Sequence, residues 1–74
     1  MPMRWTADRL DQLEHAVRNR LRVAVNRRGT EYVVVATDLV THGRHEGFRG
    51  LLPMTGEELE FALGDLESFE VLQR

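Results

Sequence analysis

The sequence contains no cysteine, no lysine and no isoleucine. Without cysteine there can be no disulfide, no thiolate metal site and no cysteine nucleophile. Long apolar stretches are missing too: the longest aliphatic run is the tetrapeptide Val33 to Ala36. A membrane-spanning helix needs about 20 apolar residues and a signal peptide an apolar block of roughly 7–15, so the reading is a soluble, cytoplasmic protein. Proline is scarce, with two residues, and glycine modest, with six, which argues against a disordered chain. The codons for lysine and isoleucine are AT-rich, so a GC-rich genome accounts for both absences. The competing explanation is arginine selected for its planar, bidentate fork.

What is present fits one small domain spanning residues 1–74, near the lower size limit for folding on a single core. The net charge of −2 is divided unevenly. Residues 1–37 carry seven arginines against four acids, and residues 38–74 carry three against eight. Five of the arginines fall within positions 18–28, a stretch without an acid. Halves of opposite sign can face different partners, or each other in neighbouring copies.

Thr6 is placed to cap a helix, with its hydroxyl accepting a first-turn N–H, and Asp8 complements the positive end of the dipole. Trp5 and Leu10 hold the two positions of a hydrophobic staple. Leu10, Leu13, Val17 and Leu21 then recur at helical spacing, which predicts a helix over about 6–20. The period changes to two at Leu21, Val23 and Val25, the mark of a half-buried strand. Asn26 to Thr30 supplies turn residues, and Tyr32 to Thr37 reads as a strand buried on both faces. Leu39-Val40-Thr41 continues or bends that strand, and Phe48 to Leu52 offers another. Glycines at 43, 47 and 50 leave the path of residues 43–56 open. Beyond Glu57, Leu59, Phe61 and Leu63 alternate with Glu58, Glu60 and Ala62. A tight turn follows at Gly64 to Glu67, then a last strand from Ser68 with Phe69 and Val71 inward. The expected fold is α+β and mostly β: an N-terminal helix followed by a small five-stranded antiparallel barrel, with strands within about 21–73. Trp5, Leu13, Val23, Val34, Phe61 and Val71 are its expected core.

Asp11-Gln12-Leu13-Glu14, Ala36-Thr37-Asp38-Leu39-Val40-Thr41 and Leu63-Gly64-Asp65-Leu66-Glu67-Ser68-Phe69 occur in an order and spacing that carry a resemblance. Across about 60 of the 74 residues the chain resembles the Sm-like branch of SH3-type barrels, and within it the Rof family of small bacterial Rho inhibitors. That resemblance implies a non-enzymatic module that binds Rho, a protein partner, and blocks RNA access. A second resemblance rests on Gly56 to Phe61 and Leu66 to Leu72, which look like the final strands of WYL domains, although the Trp-Tyr-Leu signature is missing.

Catalysis finds little support among the residues. Ser68 is the only serine and has no histidine near it, and a core this small leaves little volume for a cleft. No cofactor is expected. His42 and His45, with Asp38 and Glu46, are the only metal-ligand candidates, and their spacing matches no established motif. Two charged sets point to binding instead. Arg18, Arg20, Arg22, Arg27 and Arg28 suit phosphate or an acidic partner, with Arg20 and Arg22 expected on one strand face. Glu57, Glu58, Glu60, Glu67 and Glu70 suit a basic surface, including one that ordinarily holds RNA. Direct RNA or DNA binding through the arginines, and a homo-oligomeric structural module joined by edge strands, are the alternative readings.

Overall fold

A computed structural model describes residues 3–72; the ends of the expected 1–74 domain (residues 1, 2, 73 and 74) lie outside the described residues. The first element, α1 (Ala7–Asn19), begins where Thr6 Oγ1 accepts the Arg9 N–H at 3.2 Å. Leu13 and Ala16 form its buried stripe. It ends on Arg20, which adopts the left-handed conformation (φ 52°, ψ 52°), while the Leu21 N–H donates to Ala16 O. That geometry is the usual glycine-type helix stop, here held by an arginine.

Five strands follow: β1 (Arg22–Arg27), β2 (Thr30–His42), β3 (His45–Leu51), β4 (Glu58–Ala62) and β5 (Leu66–Val71), with a 3₁₀ turn at Leu63–Asp65. They form one antiparallel sheet in the order β4-β3-β2-β1-β5. The fold is therefore α+β and mostly β, with a barrel-like sheet. The β1–β2 hairpin turns on Arg28 and Gly29, both at positive φ, the two-residue connection whose twist suits flanking strands. Gly43 and Arg44 make the second two-residue turn, with positive φ at Gly43.

β2 shows why the sheet curves. Thirteen residues of straight strand would reach about 43 Å, yet the longest dimension of the molecule is 29 Å. The strand bends at Thr37, which has no partner in the ladder: Ala36 faces Gly50 and Asp38 faces Arg49. This is a β-bulge, and the Thr37 hydroxyl donates to Arg49 O at 3.2 Å across the break. The first half of β2 pairs with β1 and the second with β3, so one strand serves two walls of the fold.

The concave face and α1 enclose Leu13, Ala16, Leu21, Val23, Val25, Val34, Ala36, Phe48, Phe61, Leu63 and Leu66. Of the expected core, Leu13, Val23, Val34 and Phe61 are fully buried, and Trp5 and Val71 are half-buried against them. The expectation that Tyr32 to Thr37 is buried on both faces is corrected: Val34 and Ala36 point into the core, while Val33 is 38% exposed. Leu13 and Ala16 of α1 join that core, and Val33 meets water on the other face of β2. The third strand starts at His45 rather than Phe48, and the last at Leu66 rather than Ser68.

The segment before α1 is fastened at three points. Trp5 Nε1 donates to Leu63 O at 2.9 Å, the indole packs 5.3 Å from the Phe69 ring, and the Met3 N–H donates to Leu66 O at 2.9 Å. Trp5→Phe keeps most of the apolar contact and removes the donor. It is expected to cost about 1–1.5 kcal/mol in a urea melt. A change below about 0.3 kcal/mol would mean that the indole N–H contributes nothing.

Candidate functional site

The arginines predicted as one cluster are distributed by the fold. Arg18 occupies the last turn of α1, where its charge complements the helix C-terminus. Arg20 is the helix cap and lies outside β1, so the expectation that Arg20 and Arg22 share a strand face is corrected. The helix stop uses up the residue that periodicity assigned to the strand. Arg22 opens β1 and Arg27 closes it, about 17 Å further along. Arg28 sits in the exposed hairpin turn.

Arg27 belongs to the interior as much as to the surface. Its guanidinium lies 5.0 Å from the Phe61 ring centroid and 5.1 Å from that of Tyr32. It also donates, at 3.4 Å each, to the Tyr32 hydroxyl and the Glu60 carbonyl. The strand order leaves β4 and β5 as the two sheet edges, so Arg27 reaches from β1 to the far edge strand. A side chain thus joins walls that the backbone ladder does not. No pattern in the sequence distinguishes Arg27 from its neighbours, because the rings it covers come from β2 and β4.

The carboxylates stand at the edges. Glu58 and Glu60 occupy alternate, exposed positions of β4, with exposed Glu57 immediately before the strand. Glu67 and Glu70 are exposed on β5. Neither edge strand contains a basic residue. Glu60 is partnered: His42 Nε2 lies 2.7 Å from its Oε2, and Arg49 Nε 3.7 Å from its Oε1. Glu67 accepts the Gly29 N–H at 3.0 Å, tying β5 to the first hairpin turn.

That backbone hydrogen bond is the leading reason the Glu67 carboxyl titrates below its ordinary value. A carboxyl with a lowered folded pKa stabilises the fold fully above its unfolded pKa. The contribution disappears as the pH falls through the lowered folded value. Glu67→Gln should therefore show a shallower loss of stability on the acid side than the wild type. Parallel acid titrations followed by circular dichroism check this, and superimposable acid limbs would contradict it.

His42 and His45 face each other across the Gly43-Arg44 turn. Glu46 alternates to the other face of β3, and Asp38 lies four residues back along β2 opposite Arg49. The fold therefore pairs the two histidines and leaves the two carboxylates at other positions of the ladder. No group of three or more histidine, aspartate or glutamate side chains suited to a metal occurs among the described residues. Ser68 is exposed on β5 opposite Asn26. His15 is exposed on α1, hydrogen-bonded with Asn19.

Two depressions adjoin these surfaces. One of about 350 Å³ is lined by Arg27, Arg28, Thr30, Tyr32 and Asp65. Another, of about 500 Å³, lies among Trp5, Leu10, Leu63 and the Arg44-His45-Glu46 hairpin tip. The first mixes two guanidinium groups with a carboxylate and so has no single sign of charge. No helix among the described residues is long and apolar enough to cross a membrane.

These features define a small barrel-like α+β domain with acidic sheet edges and dispersed arginines. The chain matches no protein-family model, and no curated protein matches it.

Proposed function

We propose that this chain is a non-enzymatic regulatory binding module. It resembles the Rof-type Sm-like barrels and uses its acidic β4 edge to dock on a basic, nucleic-acid-handling protein such as Rho, excluding RNA from that surface. The observation that supports this reading is the contrast between the two charged sets. Glu57, Glu58 and Glu60 stand together and exposed along one edge with no cation on the strand. The arginines are separated: Arg18 and Arg20 lie at the helix end, Arg22 and Arg27 at opposite ends of β1, and Arg27 covers the aromatic core. Phosphate binding would need several guanidinium groups converging on one stretch of backbone. An acidic edge needs only a partner of opposite charge.

The test is displacement of single-stranded RNA from purified Rho. The wild-type chain should release the RNA, and raised salt should weaken its effect. Glu57→Lys with Glu58→Lys should reduce release at least about tenfold, since like charges then face each other. Among the described residues, neither of these side chains makes a hydrogen bond or ion pair, so the variant should fold. An undisturbed Rho–RNA complex, or equal release by the charge-reversed chain, would overturn the reading. Direct capture of the RNA by the free chain would favour the arginine surface instead.

A further inference from the structure

The loop between β3 and β4 holds the most exposed large apolar side chain of the described residues. Met54 is 94% exposed, whereas Val33, Leu39 and Leu72, the other exposed ones, keep at least half of their surface covered. We propose that Met54 is the apolar anchor of the acidic edge, entering an apolar pocket ringed by arginine or lysine on the protein that β4 docks on. This rests on the docking reading under the preceding heading: charge draws the basic partner to β4, and Met54 fixes where it sits.

Two observations carry this. The first is that the loop is fastened to itself. The Leu52 N–H donates to Glu57 O at 2.9 Å, the Gly56 N–H to Leu52 O at 2.8 Å and the Glu57 N–H to Thr55 Oγ1 at 3.2 Å. Pro53 has a fixed φ, and Gly56 supplies the positive φ of 74° that closes the turn. Of the loop's two large apolar side chains, Leu52 packs against the core and Met54 is turned out. A side chain presented from an ordered backbone loses less freedom on binding than one on an unfastened loop.

The second is what adjoins it. Leu51 faces Glu58 at the end of the β3–β4 ladder, so the loop that carries Met54 leads directly into Glu57 and Glu58, both exposed. An apolar centre beside a charged rim is the arrangement of a protein interface. Carboxylates repel the phosphates of a nucleic acid, whereas a basic protein surface complements them. Methionine suits the centre because its unbranched thioether chain adapts to the shape of a pocket. Burying such a side chain is worth about 10- to 100-fold in affinity.

Release of single-stranded RNA from purified Rho, at low and at high salt, tests this. Met54→Ser should need at least about tenfold more chain for half release, by the same factor at both salt concentrations. The loss caused by Glu57→Lys with Glu58→Lys should instead shrink as salt rises. Met54→Leu stays apolar with a similar volume and should recover most of the affinity. Circular dichroism should show both Met54 variants folded with the wild-type melting midpoint, because so exposed a side chain contributes little to the fold. A serine variant as potent as wild type, beside an impaired glutamate variant, would remove the anchor and leave the docking reading standing. A serine variant whose loss vanishes at high salt would also remove it. Failure of every chain to release RNA would remove both. If light scattering showed the wild-type chain associating with itself and Met54→Ser not, a second copy would be the occupant and the assignment would be overturned.

Discussion

Phe61→Ala is expected to leave the domain largely unfolded at 25 °C. Phe61 is fully buried on β4, stacked at 5.2 Å on Phe48, edge-on at 5.3 Å to Tyr32 and covered by the Arg27 guanidinium at 5.0 Å. Truncating a buried phenylalanine to alanine costs about 3–5 kcal/mol. A single core in a chain of this length seldom supplies more than about 3–5 kcal/mol of net stability. The two quantities are of equal size, so removing this one ring consumes most of the available margin. Phe61→Leu, which keeps much of the volume, should remain folded with a lowered urea midpoint. Arg27→Met should cost less again, about 0.5–2 kcal/mol, the range for a guanidinium over aromatic faces. Urea denaturation of the three variants would show that order, and an alanine variant within about 1 kcal/mol of wild type would contradict it.

Gly47→Ala should be the next most damaging substitution, although it adds only a methyl group. Gly47 lies opposite Ala62 in the β3–β4 ladder, and a Cβ there would overlap the Phe61 carbonyl oxygen. Backbone is what stands in the way, so relief requires β4 to move away from β3. Overpacking of this kind typically costs about 1–3 kcal/mol, and the rigidity of the neighbour places this case at the upper end. Gly64→Ala is the control, because a Cβ there has nothing within 4 Å. It should change stability by less than about 0.5 kcal/mol. Because Gly47 holds the acidic edge strand against the sheet, its substitution should also weaken any partner that binds there. Equal melting midpoints for the two variants would show that β3 and β4 can separate at no cost.

Local signals in the chain account for most of the elements. Thr6 and Asp8 mark the helix start with their own side-chain chemistry. The change of hydrophobic period after Leu21 marks the first strand, and Arg28-Gly29 its turn. The candidate site was legible only as composition. Five glutamates in the last eighteen residues predict an acidic surface, but their division between two opposite edges depends on strand order. The arginine cluster misled for a related reason. Proximity along residues 18–28 is proximity in space only if the chain stays in one element, and here it passes through a helix end, a whole strand and a turn. The middle segment was illegible because its structure is long-range. The bulge at Thr37 answers to Gly50 and Arg49 on another strand, and no residue near Thr37 announces it.

The sequence by itself determined the class of molecule: a small cysteine-free domain, helix first and strands after, acidic in its second half. Those properties are sums or short-range periodicities, and they survive any arrangement of the elements. Only the tertiary structure decided which charges are available to a partner. Arg27 is drawn over Tyr32 and Phe61, and Glu60 is shared between His42 and Arg49. Glu57 and Glu58 are left outward at an open edge. The physical reason is that a charge is spent or spared by its neighbours in space, and the neighbours of these residues come from strands distant in the chain.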